Sequence, residues 1–186
     1  MPDAVLLTYL LGVASSLSGY PPLPPERMPA VRPLAVAELV REACPDAPAE
    51  CEKLVALYDR QHDYILIRAD LDLQEAADNS FLVHEFVHVL EAHAKGDGYQ
   101  RDCLATLQSE REAYRVQNAY LTSRGRPERY GGMLAHRGCA PEQTAGESVG
   151  ESAVVLQRVP RRQSDEAVLE DFMEELGRGR AAARRR

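Results

Sequence analysis

A His-Glu-x-x-His motif, formed by His84, Glu85 and His88, has the clearest chemistry in the sequence. The flanking residues predict a helix, on which positions i and i+4 lie about 40° apart, so both imidazoles point to one spot. There they can hold a zinc ion at about 2.0–2.1 Å each. Glu85 projects about 100° to one side, where it can act as general base on a metal-activated water without binding the metal. The alternative is a pair of core histidines beside an incidental glutamate.

A catalytic zinc needs a third protein ligand and an open position for water. The metzincin pattern HExxHxxGxxH does not supply it, because Glu91 stands where that pattern has Gly and Ala94 where it has the third His. His62 and His136 are possible ligands by residue type alone. A better ligand lies in the next predicted helix.

That helix contains two glutamates, Glu110 and Glu112, and the helical wheel separates them. With Leu104 set at 0°, Leu107 falls at about 300°, Tyr114 at about 280° and Glu110 at about 240°, whereas Glu112 falls at about 80° on the opposite face. A carboxylate beside an apolar stripe needs a partner, and a metal held by the preceding helix is one. We therefore expect Glu110 to be the third ligand. The alternative role for Glu110 is a buried ion pair with Arg, and Glu112 is an alternative third ligand.

The motif HEFVH, followed 22 residues later by Glu110 within Glu110-x-x-Ala113-Tyr114, resembles the gluzincin zinc peptidases. Their third ligand is a helical Glu in an ExxAD-like setting, and Tyr114 stands where many of them have Asp. The sequence looks most like short bacterial HExxH domains with SFLVHE and EREAY helices, over residues 64–125. The resemblance implies a minimal zincin-like domain, in which an edge strand beside the HExxH helix binds substrate and a second helix supplies a metal ligand.

The leading functional hypothesis is therefore a zinc-dependent peptidase that acts on peptides or proteins, with Glu85 as general base and His84, His88 and Glu110 as Zn²⁺ ligands. A catalytically silent zinc domain, with a structural, sensor or interaction role, is the alternative. A helical interaction domain without metal is a third. Four side chains are candidates for stabilising the oxyanion, and none is preferred: Tyr114, Tyr120, Tyr130 and His136.

The elements that must position these residues predict an α+β domain that is predominantly helical. Residues 64–73 alternate apolar and polar side chains, which predicts a strand that the resemblance makes the substrate-binding edge. The cluster Asp78-Asn79-Ser80 predicts the start of the HExxH helix, and Gly96 its end. Six prolines predict an extended connector over residues 20–34. Further helices are predicted over residues 3–18, 35–43, 49–60 and 102–123.

The length of 186 residues limits the number of domains, and the net charge limits the kinds of partner. We expect one domain over residues 1–163, with its core at about 35–125, and then a short acidic helix and a disordered Arg-rich tail over 164–186. The formal net charge is −7, and five arginines lie in the last nine residues, so residues 1–177 carry −12. Such an acidic body argues against nucleic-acid binding. No apolar run reaches the about 20 residues that a membrane span needs.

The four cysteines have no CxxC spacing, which excludes zinc-ribbon and thioredoxin sites. We expect two disulfides in preference to four reduced thiols, although four cysteines permit three connectivities. One should hold the loop between Cys44 and Cys51, and one should tie Cys103 to another segment, for which Cys139 is a candidate partner. This favours an extracytoplasmic location, periplasmic or secreted, over the cytoplasm. Residues 4–11 are apolar like a signal peptide, but an acidic residue precedes them, so we expect a first helix of the domain instead.

Overall fold

The computed structural model describes residues 2–139, which form four α-helices and one three-stranded sheet. This confirms the α+β class with helices predominating. The expected acidic helix and Arg-rich tail, over residues 164–186, lie outside the described residues. Among residues 2–139, no helix is both long enough and apolar enough to cross a membrane.

The first helix, α1, spans Ala4–Ser18 as the sequence predicts. The Asp3 carboxylate caps it by accepting a hydrogen bond from the Val5 amide at 2.9 Å, and Gly19 ends it in the left-handed conformation that favours glycine. Its inward face carries Leu7, Leu10, Leu11 and Ala14, which pack into the main core. Because this apolar face repeats with helical spacing, α1 docks against two longer helices described below.

The sheet consists of β1 (Ala30–Leu34), β2 (Ala56–Asp59) and β3 (Tyr64–Arg68), in the order β1-β3-β2. β1 pairs with β3 in parallel, with Ala30 opposite Tyr64, and β2 pairs with β3 antiparallel, with Tyr58 opposite Ile65. The predicted connector over residues 20–34 thus ends in a strand. Pro33 is tolerated there because β1 lies at an edge of the sheet.

The predicted helix over residues 49–60 is wrong. Pro48–Cys51 form a single 3₁₀ turn, and Ala56–Asp59 form β2. A short apolar run such as 54–58 does not distinguish a strand from a buried helix by its pattern. These residues form a strand in the tertiary structure because they hydrogen-bond to the side of β3 that β1 leaves unpaired.

The predicted strand over residues 64–73 is also corrected in length and in place. It ends at Arg68, and as β3 it is the central strand, so it is not the edge strand beside the HExxH helix. Ile65 and Ile67 face the main core, whereas Leu66 packs on the other face with Leu39. Leu39 belongs to α2 (Val36–Ala43), which agrees with the predicted helix 35–43. Because both faces are covered, three consecutive residues of β3 are buried, and the edge strand near the HExxH helix is β2.

The helix α3 (Ala76–Lys95) carries the HExxH motif, and its N-cap residue is Glu75, not a member of the predicted cluster Asp78-Asn79-Ser80. That cluster is buried inside the first turns, where the side-chain nitrogen Nδ2 of Asn79 donates to the Leu73 carbonyl at 3.1 Å. Local residue preference favours a cap at such polar residues, but here they contact the preceding loop and other helices. Gly96 ends the helix as expected. Every residue from Ala77 to Ala92 is buried, which makes α3 the central element.

The helix α4 (Cys103–Ser123) confirms the prediction over residues 102–123. The Asp102 carboxylate accepts from the Ala105 amide at 2.8 Å and so caps its start. α1, α3 and α4 pack against one another, and β2 packs against α3. Through this arrangement α3 is enclosed by helices and by the edge of the sheet.

Two disulfides are present as expected, and the structure gives their pairing as Cys44–Cys51 and Cys103–Cys139, so none of the four cysteines is free. The first closes the loop between α2 and β2. The second joins the start of α4 to the segment that follows it. The first disulfide therefore restrains the loop after α2, and the second restrains the segment after α4.

The two disulfides should differ in their contribution to stability. Replacing Cys103 and Cys139 with Ser should lower the free energy of unfolding by about 4 kcal/mol, and replacing Cys44 and Cys51 by about 2 kcal/mol, because the stabilisation grows with the size of the closed loop. The sequence separations are 36 and 7 residues. Urea unfolding of the two double variants measures both values. Equal losses would contradict the account from loop size.

Candidate metal centre

His84 and His88 lie one turn apart on α3 and meet Glu110, which projects from α4. The Nε2 atoms of the two histidines are 3.1 Å apart. The Glu110 oxygens lie 3.4 Å from His84 Nε2 and 3.3 Å from His88 Nε2. One ligand atom from each residue lies within 4.8 Å of the others, and all three side chains are buried. This buried group can hold a metal ion.

The donors of this cluster fit a divalent cation chemically as well as geometrically. Two imidazole nitrogens and one carboxylate form a ligand set that zinc commonly takes. Glu110 Oε2 is buried, and among the described residues it has no hydrogen-bond partner. A buried polar atom without a partner is costly, and a cation at this position would satisfy it.

The electrostatics of the cluster also favour positive charge. Burial opposes ionisation of Glu110, yet the charge of His88 and the closeness of both imidazoles hold the pKa of its carboxyl well below its usual range. Burial works against protonation of His88, but the Glu110 carboxylate overcomes it and raises the pKa of His88 to about 9. The cluster therefore attracts a cation, whether a proton or a metal.

Glu85 lies beside the cluster and is held by the edge strand. Its Oε2 accepts a hydrogen bond of 2.8 Å from the backbone amide of Tyr58 in β2. That amide points away from β3, because the hydrogen bonds of an antiparallel pair alternate along the strand. Burial raises the pKa of the Glu85 carboxyl, against the lowering effect of His84 and His88. Because residues 56–59 form a strand and not the predicted helix, the backbone amide of Tyr58 is available to hydrogen-bond Glu85.

The other ligand candidates lie outside the cluster. Glu112 is partly buried and pairs with Arg115 at 2.6 Å, whereas His62 and His136 are exposed. His62 pairs with Asp59 at 2.8 Å. The helical wheel therefore separated Glu110 from Glu112 in agreement with the structure.

The three tyrosines among the oxyanion candidates have different surroundings. Tyr114 packs the edge of its ring against His84, with ring centroids 4.6 Å apart, and burial followed by the Glu110 charge raises the pKa of its hydroxyl. The Tyr120 hydroxyl donates to Asn79 at 2.7 Å, and Tyr130 packs against Phe81. Sequence reasoning missed Tyr99, a buried residue whose ring lies 6.2 Å from that of His88.

Sequence reasoning also missed the polar residues behind the two histidines. Gln117 faces His84 Nδ1 at 3.2 Å, and Ser109 faces His88 Nδ1 at 2.9 Å. Gln117 lies seven residues after Glu110, so the two share one face of α4. That spacing is visible in the sequence, but a helix face defined by its apolar residues alone does not include Gln117.

A family model described as Domain of unknown function (DUF6647) matches residues 17–131, which is more than half of the chain. The matched range includes the whole cluster and Glu85. No curated protein and no solved structure matches the chain.

Replacing Glu110 and Glu112 in turn should show which glutamate of α4 binds the metal. Glu110→Ala should lose stoichiometric divalent metal because it leaves two protein ligands. Glu112→Ala on the same helix should bind metal like the wild type, since Glu112 is paired with Arg115 instead. Metal analysis after dialysis, with circular dichroism as the check on folding, measures both. Metal binding by a folded Glu110→Ala protein equal to that of the wild type would contradict the ligand set.

Gly131 should be needed to seat Tyr114 against His84. Its φ is +83°, and a Cβ at this position would lie 2.5 Å from Tyr114 Cγ. Gly131→Ala should therefore lower the free energy of unfolding by about 1–3 kcal/mol. The matched variant is Gly132→Ala, where nothing lies within 4 Å of the added Cβ. Thermal unfolding compares the two, and equal stability would refute the close contact.

Proposed function

The chain belongs to the DUF6647 family, and we propose that it is a zinc-dependent peptidase with Glu85 as general base. The single observation that carries this proposal is the meeting of His84, His88 and Glu110 beside the anchored carboxylate of Glu85. Three protein ligands leave one coordination position for water, which is the arrangement of a catalytic zinc site. Bound zinc supplies polarisation of the scissile carbonyl and a lowered pKa of water.

In this proposal Glu85 takes the proton of the attacking water and passes it to the leaving amine. Its burial supports the role, because a raised pKa brings the carboxyl closer to neutral pH, where proton transfer in both directions is efficient. The Tyr58 amide holds Oε2, so we assign proton transfer to Oε1. The backbone of β2 thereby orients the base.

We propose an extended peptide or protein segment as the substrate. The order of a strand, an HExxH helix and a helix with the ligand Glu supports the likeness to a zincin fold. Since β3 is central, its residues 64–68 are paired on both sides and are not free to pair with a peptide. β2 is the edge strand beside Glu85, so we assign strand addition to β2. The two disulfides support a location outside the cytoplasm, where disulfides persist.

A catalytically silent zinc domain is the second candidate, and one observation favours it. His84, His88, Glu110 and Glu85 are all at most 6% exposed. Structural zinc sites are closed, whereas a catalytic site must admit a substrate. In that case Glu85 would serve the fold by accepting the hydrogen bond from β2.

Glu85→Gln separates the two candidates. The variant keeps the size of the side chain and an oxygen for the Tyr58 amide, so bound zinc should remain nearly unchanged. Hydrolysis should fall by about 100-fold or more because the proton acceptor is lost. Cleavage of a mixed peptide library, followed by mass spectrometry, and metal analysis measure the two effects.

The matched control is Glu52→Gln, an exposed position that should cleave like the wild type. Wild-type protein that binds one zinc yet cleaves nothing in the library would favour the silent domain. A Glu85→Gln protein that cleaves as fast as the wild type would show that Glu85 is not the base.

A further inference from the structure

A chain of buried hydrogen bonds leads away from His84 to a backbone carbonyl. His84 Nδ1 lies 3.2 Å from Gln117 Oε1, and Gln117 Nε2 donates to Ser80 Oγ at 3.0 Å. The Ser80 hydroxyl in turn donates to the Ala77 carbonyl at 2.7 Å. His84, Gln117 and Ser80 are each 0% exposed, so water cannot substitute for any of these partners.

The direction of this chain follows from its last member. A carbonyl can only accept, so Ser80 gives its one proton to Ala77 and must accept from the amide nitrogen of Gln117. The amide therefore turns its oxygen towards His84. Because that oxygen also only accepts, His84 carries its proton on Nδ1 and leaves a lone pair on Nε2.

A second chain leads from His88 to a carboxylate. His88 Nδ1 lies 2.9 Å from Ser109 Oγ, and the Ser109 hydroxyl donates to Glu91 Oε2 at 2.5 Å. Lys95 donates to the other oxygen of Glu91 at 2.5 Å, so both oxygens of that side chain accept hydrogen bonds. Ser109 must therefore accept from His88, and it also accepts a weaker bond of 3.4 Å from Gln100. His88 thus has the same tautomer as His84.

We propose that Gln117 and Ser109 are positioning residues that fix both histidines as Nδ1–H tautomers, so that both Nε2 lone pairs meet the Glu110 carboxylate at one metal position. The inference rests on the proposed metal site and adds the residues that orient it. Two chains from different partners, each ending in an obligate acceptor, produce the same result. With both Nδ1 atoms turned towards these chains, the two Nε2 atoms, 3.1 Å apart, face the one position that a metal ion would take beside Glu110.

Gln117→Met tests the first chain in the full-length protein. Methionine fills a similar volume without an oxygen acceptor, so the dissociation constant for Zn²⁺ should rise about 10–100-fold, as is typical when the partner of a ligating histidine is lost. Gln117→Glu restores an acceptor and should bind Zn²⁺ nearly as the wild type does. The matched control is Gln108→Met at an exposed position of the same helix. Competition with a chromogenic chelator measures all four proteins.

Ser109 provides an independent pair of variants should Gln117→Met not fold. Ser109→Ala should weaken Zn²⁺ binding by a similar factor of about 10–100, and Ser109→Thr should restore it because the hydroxyl returns. Long-range ¹H–¹⁵N spectra of the zinc-loaded wild type need no variant at all. They should report a protonated Nδ1 and a metal-bound Nε2 for both His84 and His88.

The outcomes distinguish this inference from the proposed function. Folded Gln117→Met and Ser109→Ala proteins that bind Zn²⁺ as tightly as the wild type would overturn the inference and leave the metal site standing. Metal bound through Nδ1 of either histidine would do the same. A wild-type protein that takes up no divalent metal would overturn both.

Discussion

The burial of charged and polar groups along α3 is the constraint on which the rest of the structure depends. Every residue from Ala77 to Ala92 is buried. This stretch includes the imidazoles of His84 and His88 and the carboxylates of Glu85 and Glu91. A charged group taken out of water costs several kcal/mol unless it is paired. Each of these groups is therefore met by a partner, and most of the partners come from other elements. Glu85 meets the backbone of β2, while His84 and His88 meet side chains of α4.

This constraint sets the register between α3 and α4. His84 contacts Gln117 and Glu110, and His88 contacts Ser109 and Glu110. A slip of one helical turn, about 5.4 Å, would break both hydrogen-bond chains and separate the three candidate ligands. Apolar packing alone tolerates such slips better, because hydrophobic contacts are not directional. The polar groups therefore give the helix pair a single arrangement, and the Cys103–Cys139 disulfide restrains the start of α4 in it.

Much of the helical framework could be read from local patterns. Asp3 and Gly19 bound α1, and Asp102 begins α4, because capping depends on a few residues close in sequence. Glu110 could be told from Glu112 since helical periodicity is regular enough to assign a face. The strand pairing of the sheet could not be predicted from local patterns. The apolar run that forms β2 was expected to be helical, and β3 was expected at an edge, because strand pairing joins residues whose partners no local pattern identifies.

The sequence by itself determined the types of group at the site and their spacing along two helices: the imidazoles of His84 and His88, the carboxylate of Glu85 between them and that of Glu110 beyond. Only the tertiary structure decided how these groups are oriented and enclosed. It brought the Tyr58 amide to Glu85, and it turned Gln117 and Ser109 towards the far sides of the histidines. The physical reason is that helical periodicity is local, whereas a hydrogen bond between buried groups requires two segments in a given register. That register depends on the packing of the whole chain.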